Sequence, residues 1–90
     1  MNVYVKVLAL DVEDGLVKGF QFNRTMGNTL PNLVLELSSI YPLFKKNLAD
    51  DSGQLLPSIR VVINNRVADD INITVRDGSK VVFFPAIVGG

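Results

Sequence analysis

Cysteine and histidine are both absent from this 90-residue chain. Without cysteine there is no disulfide, no thiol nucleophile and no thiolate cluster. Without histidine the commonest metal ligand and the usual general base near neutral pH are also missing. An excess of either charge is lacking too: nine Lys and Arg balance nine Asp and Glu. No strong field is therefore available to attract nucleic acid or anionic lipid, so neither a nucleic acid nor a membrane is expected as a partner. Partners must be recognised by shape and apolar contact. No apolar run approaches the roughly 20 residues that span a bilayer. The start, Met1-Asn2-Val3-Tyr4-Val5-Lys6, lacks the charged and apolar regions of a signal peptide. The lack of cysteine fits a reducing compartment, and a cytoplasmic location is expected. Glycines 15, 19, 27, 53 and 78 are scattered among turns and make no phosphate-cradling motif.

What is present is apolar. Hydrophobic residues make up 48% of the chain, enough for the core of one small domain. Val3 to Leu10 reads as a strand with Val3, Val5 and Val7 on one face. Asp11 to Gly19 reads as a turn region, and the alternating Phe20-Gln21-Phe22-Asn23 as a second strand pairing with the first. Thr29 is placed to cap a helix with Pro31 in its first turn. Leu30, Leu33, Leu37, Ile40 and Tyr41 mark the buried stripe of that helix, and Pro42 ends it. Leu43 to Leu56 reads as irregular, with a short helical turn around Phe44 to Leu48. Ile59 to Ile63 is a strand, Asn64-Asn65 a two-residue turn that tolerates positive φ, and Arg66-Val67-Ala68 its hairpin partner. After the Asp77-Gly78 turn, Lys80 to Phe84 is the last strand, halted by Pro85. The expected fold is α+β: a mixed sheet of five strands with one main helix across one face.

Alternation divides the last strand, with Val81 and Phe83 on one face and Lys80, Val82 and Phe84 on the other. The first strand is apolar on both faces as well, and a helix covers only one. Leu8, Leu10, Val82 and Phe84 are therefore expected to face outward, with Val67 extending the patch. Contiguous exposed apolar surface marks an interaction site. The competing expectation is a small second core beneath Leu43 to Leu56 that covers part of this surface. Asp50-Asp51 and Asp69-Asp70 read as solvated loop acids and Lys45-Lys46 as a solvated pair.

The sequence ends Val81-Val82-Phe83-Phe84-Pro85-Ala86-Ile87-Val88-Gly89-Gly90. Together with Val62-Ile63-Asn64-Asn65-Arg66 and Val75-Arg76-Asp77-Gly78-Ser79-Lys80-Val81, this ending resembles the ubiquitin-like β-grasp sulfur carriers, in particular the small subunits of molybdopterin synthase. Four features depart from that pattern. Asn65 stands for a common turn glycine, Ala86 for a frequent second proline, Val88 for a frequent serine or threonine, and the acidic Asp11-Val12-Glu13-Asp14 lies where relatives often carry arginine.

The resemblance implies a β-grasp domain over residues 1–85 and a flexible Gly-Gly tail over 86–90. It implies that the Gly90 carboxylate, carried on Gly89, is adenylated and then converted to a thiocarboxylate. The chain itself is expected to bind no cofactor or metal and to supply no catalytic side chain; ATP and magnesium are used by a ubiquitin-activating-like adenylating partner. The second implied partner is the large subunit of molybdopterin synthase. The implied interface comprises Leu10, Val67, Phe84, Pro85, Ala86, Ile87 and Val88. A thiamine-pathway carrier, a protein modifier joined to lysines through Gly90, and a noncatalytic β-grasp binding module remain as alternatives.

Overall fold

A computed structural model describes residues 2–8, 11–25, 27–70 and 72–86. In chain order the elements are β1 (Asn2–Val7), α1 (Asp14–Lys18), β2 (Phe20–Asn23), α2 (Leu30–Ile40), α3 (Pro42–Leu48), β3 (Ile59–Ile63), β4 (Arg66–Val67) and β5 (Lys80–Pro85). The strands form one sheet in the order β2-β1-β5-β3-β4. β1 and β5 run parallel at its centre, and the other neighbours are antiparallel. A parallel pair needs a long crossover, and α2 and α3 lie within it.

Alternation decides the two faces. Val3, Val5 and Val7 of β1, Phe22 of β2, Ile59, Val61 and Ile63 of β3, and Val81 and Phe83 of β5 are buried in one core. Leu30, Leu33, Val34 and Leu37 of α2 close that core from one side. Thr29 caps α2, its side chain accepting the Asn32 N–H at 3.4 Å, and Pro31 sits in the first turn, where its missing donor is harmless. The residue before a proline is pushed out of the helical region. Tyr41 accordingly adopts φ −113°, ψ 101°, ends α2 and begins α3 in one step. Pro42 thus stops one helix and starts the next. Ile40, expected in the buried stripe, is 52% exposed. Tyr41, the other residue expected at the end of that stripe, is half-buried, its ring meeting Phe20 edge-on at 6.0 Å.

Three further expectations are corrected. Asp11 to Gly19 is not all turn: it contains α1, whose Leu16 is fully buried. Leu43 to Leu56 is not an independent second core. Phe44 packs edge-on against Phe83 at 5.3 Å, and Phe44, Leu48 and Ala49 belong to the same core as α2. β1 ends at Val7, although the Leu8 N–H continues the ladder to the Phe83 carbonyl at 2.8 Å.

Polar groups fasten the edges of this core. Arg24, only 4% exposed, donates to the Thr29 carbonyl at 2.7 Å and the Val75 carbonyl at 3.0 Å. It ties the end of β2 to the start of α2 and to the segment before β5. Burial lowers its pKa from the ordinary arginine value, opposed by the nearby Glu36 carboxylate. Glu36 in turn accepts the Thr25 N–H at 2.9 Å and the Thr25 hydroxyl at 2.7 Å. Asn64 and Asn65 hold φ of 52° and 71°, as a two-residue hairpin turn requires.

Candidate functional site

The sheet face opposite the helices carries no element of its own among the described residues. The strand registers set its side chains in three rows. Gln21, Tyr4 and Lys80 form the first. Lys6, Val82, Val62 and Val67 form the second, running from β1 to β4. Leu8, Phe84 and Arg60 form the third, Leu8 being aligned with Phe84 by its bond to the Phe83 carbonyl. Leu8 is 42% and Val67 55% exposed, while Val62, Val82 and Phe84 are half-buried. The centre of the face is thus a contiguous apolar patch.

Of the residues expected at the interface, Val67 and Phe84 lie on this face. Pro85 is opposite Ile59 at the end of β5, and the Ala86 N–H donates to the Ser58 carbonyl at 2.7 Å. Leu10, Ile87, Val88, Gly89 and Gly90 lie outside the described residues. Val62, central in the second row, is not among the expected contacts, although strand alternation from Val61 and Ile63 already places it on this face. Tyr4 lies across the face at its β2 side, and a β carbon at Gly19, where φ is +86°, would collide with its ring.

The segment that could have roofed this surface packs elsewhere, because Phe83 faces the helices. The acidic stretch after β1 also has a structural task. Glu13 accepts the Leu43 N–H at 2.9 Å and the Phe44 N–H at 3.2 Å, so its carboxylate caps α3. Asp50, Asp51, Asp69, Asp70, Lys45 and Lys46 are exposed, as expected of loop charges. The Asp50 carboxyl is held below its usual range, chiefly by the Ser52 hydroxyl at 2.6 Å and then by the Gln54 N–H at 3.0 Å.

An open groove of about 650 Å³ runs along β4, where Arg66 and Arg76 share the walls with Asp69, Asp70 and Asp77. Its mixed charges define no single ligand. Among the described residues no group of three or more Asp or Glu side chains is placed to hold a metal ion, and no helix is long and apolar enough to cross a membrane. The described features are thus an uncovered apolar sheet face and, beside it, the end of β5 at Pro85.

Comparison with known proteins agrees with this architecture. The ThiS family profile matches residues 16–90, so the chain belongs to the ThiS family, a family of ubiquitin-like β-grasp sulfur carriers. SAMP1 from Haloferax volcanii superimposes with a TM-score of 0.75 at 19% identity, covering 100% of both chains. The HVO 2177 protein of the same organism gives 0.74 at 23% identity over 100% of this chain and 87% of its own. Urm1 from Trypanosoma brucei gives 0.67 at 24% identity over 99% and 95%. At these identities the likeness establishes the fold, a ubiquitin-like β-grasp. No curated protein sequence matches the chain. Ubiquitin-like carriers and modifiers generally work with E1-like activating enzymes.

Proposed function

We propose that this chain is a sulfur carrier, the small subunit of a molybdopterin synthase, and that it carries sulfur as a thiocarboxylate on Gly90. The observation that carries the reading is the path of β5. It runs through the middle of the sheet, presents the half-buried Phe84 on the uncovered face and ends at Pro85, one residue before Ala86 is tied to the Ser58 carbonyl. A partner docked on this face would lie next to the end of β5, four residues before Gly89-Gly90.

The chemistry needs nothing from the chain except that carboxylate. A carboxylate is a poor electrophile until it bears a good leaving group. An E1-like partner using ATP and magnesium would form the acyl-adenylate and release pyrophosphate; a sulfur nucleophile would then displace AMP. All proton transfers belong to the partners, in keeping with a chain that has no cysteine and no histidine. The large subunit of molybdopterin synthase would then receive the loaded tail and hold the pterin precursor.

One observation favours a second reading. A structural neighbour from Haloferax volcanii is itself described as small archaeal modifier protein 1. Under that reading Gly90 forms isopeptide bonds with lysines of other proteins.

Intact-mass measurement separates the two. The chain is incubated with an E1-like enzyme from its own genome, ATP, magnesium and a sulfur source. Replacement of one oxygen by sulfur at Gly90, followed by sulfur transfer to the pterin precursor on the large subunit, supports the carrier. Lysine-linked conjugates without sulfur transfer favour the modifier. An unchanged mass with every competent activator overturns both in favour of a binding module.

A further inference from the structure

The chain is neutral overall, yet its charges are segregated by sign. Every charged residue within a strand is basic: Lys6 in β1, Arg60 in β3, Arg66 in β4 and Lys80 in β5. All nine acids lie outside the strands. Three of the strand cations occupy the uncovered face at its rim. Lys6 stands beside Val82, Arg60 beside Phe84, and Lys80 beside Tyr4, with its ammonium 5.8 Å from that ring. None of the three forms an ion pair among the described residues; Arg60 donates to the Pro57 carbonyl at 3.1 Å. The apolar centre of Leu8, Val62, Val67, Val82 and Phe84 is therefore bordered by positive charge, with no carboxylate among the described residues of its three rows.

From this segregation we infer that the face docks a protein whose contact surface is an apolar patch bordered by carboxylates. The inference rests on the proposed role of the same face in meeting the activating enzyme, and it adds the chemistry by which that enzyme is chosen. Burial of the apolar centre supplies affinity. The cations steer the encounter and reject surfaces bordered by arginine or lysine, since like charges brought together at an interface cost several kcal/mol. A protein fits better than an anionic membrane or a nucleic acid. The centre is an apolar sheet face of Leu8, Val62, Val67, Val82 and Phe84, which a lipid headgroup or a phosphate backbone would not cover. The balanced net charge gives no overall attraction to a polyanion.

The test uses the full chain, ATP, magnesium and the E1-like enzyme that releases pyrophosphate with it, with KM and kcat read from pyrophosphate release. One triple variant carries Lys6→Gln, Arg60→Gln and Lys80→Gln. Its control carries Lys18→Gln, Lys45→Gln and Lys46→Gln and loses the same three charges from exposed positions on α1 and α3. The expected result is a KM about tenfold higher for the first triple, unchanged kcat, and a control within about twofold of wild type. The wild-type KM should also rise several-fold as salt shortens the screening length from about 20 Å to about 5 Å, which reads the same property without any substitution.

Equal KM values for the two triples, together with a salt-independent wild type, overturn the inference while leaving the carrier reading intact. Absence of pyrophosphate release from the wild type with every E1-like enzyme of its own genome overturns the carrier reading and this inference with it. Cation-dependent binding of the wild type to phosphatidylglycerol vesicles, with no salt effect on KM, overturns the choice of a protein partner.

Discussion

The carboxylate of Glu13 accepts the backbone N–H of Leu43 at 2.9 Å across thirty residues of sequence, and its other oxygen accepts the N–H of Phe44 at 3.2 Å. A helix start leaves its first amides without partners. In α3 Pro42 has no amide hydrogen, so Leu43 and Phe44 hold the donors that need one, and Glu13 serves both. Glu13→Ala should therefore destabilise the domain by about 1–2 kcal/mol, while Glu13→Gln, which keeps one acceptor, should cost less. Urea unfolding midpoints for the two variants check the order.

Adjacent phenylalanines in β5 should separate stability from recognition. Phe83 is fully buried against Phe44, and Phe83→Ala should cost about 3–5 kcal/mol. In a domain of this size that lowers the melting temperature by more than about 10 °C. Phe84 is half-buried on the opposite face, so Phe84→Ala should cost about 1 kcal/mol. Its larger effect should be on kcat/KM for charging by the E1-like partner, with a fall of at least about tenfold. Thermal melts and pyrophosphate release on the same two samples give the comparison. Equal losses of stability would mean that the outer face is not a free surface.

Much of this arrangement is legible in the amino-acid order alone. The two-residue period of Val3, Val5, Val7, Val81 and Phe83 separates the faces, because each strand is short and only one face is covered. Thr29 and Pro31 mark the start of α2, and Asn64-Asn65 marks the hairpin. Leu16 is not legible as core: a five-residue helix with one buried side chain shows no period. Ile40 and Tyr41 are neighbours that both fit the stripe by helical spacing, and the helix end that Pro42 imposes at Tyr41 leaves Ile40 exposed while Tyr41 packs against Phe20. The Glu13 cap is hidden because a carboxylate near a chain reversal looks like any loop acid until α3 is folded against it. The cationic border of the outer face needs the sheet order, since Lys6, Arg60 and Lys80 come from three strands far apart in sequence.

The hairpin between β3 and β4 should respond oppositely at its two turn residues. Asn65 holds φ 71°, and the turn draws on its tolerance of that angle. Asn65→Gly should relieve the left-handed strain and stabilise the domain by about 0.5 kcal/mol. Asn64 also holds a positive φ, but its side-chain oxygen accepts the Lys80 N–H at 2.9 Å and so ties the turn to the start of β5. Asn64→Gly should lose that bond and destabilise by about 0.5–1 kcal/mol. Denaturant unfolding of the two variants beside the wild type reads the opposite signs.

Asp50 gives the chain a defined sensitivity to acid. The Ser52 hydroxyl, the Gln54 amide and the Ser52 amide donate to its carboxylate, while desolvation acts in the opposite direction. These bonds favour the ionised form, so the folded-state pKa lies below that of the unfolded chain. A depressed carboxylate stabilises the fold at pH values above its unfolded pKa, about 3.9, and that contribution is lost as pH falls through the folded value. Asp50→Asn should therefore be less stable than wild type near neutrality, and the gap should close on acidification below about pH 4. Ser52→Ala removes the largest of these contributions and should give an intermediate slope. Urea midpoints followed from about pH 7 to about pH 2 test this, and a gap between wild type and the Asp50→Asn variant that stays constant across the range would sink the assignment.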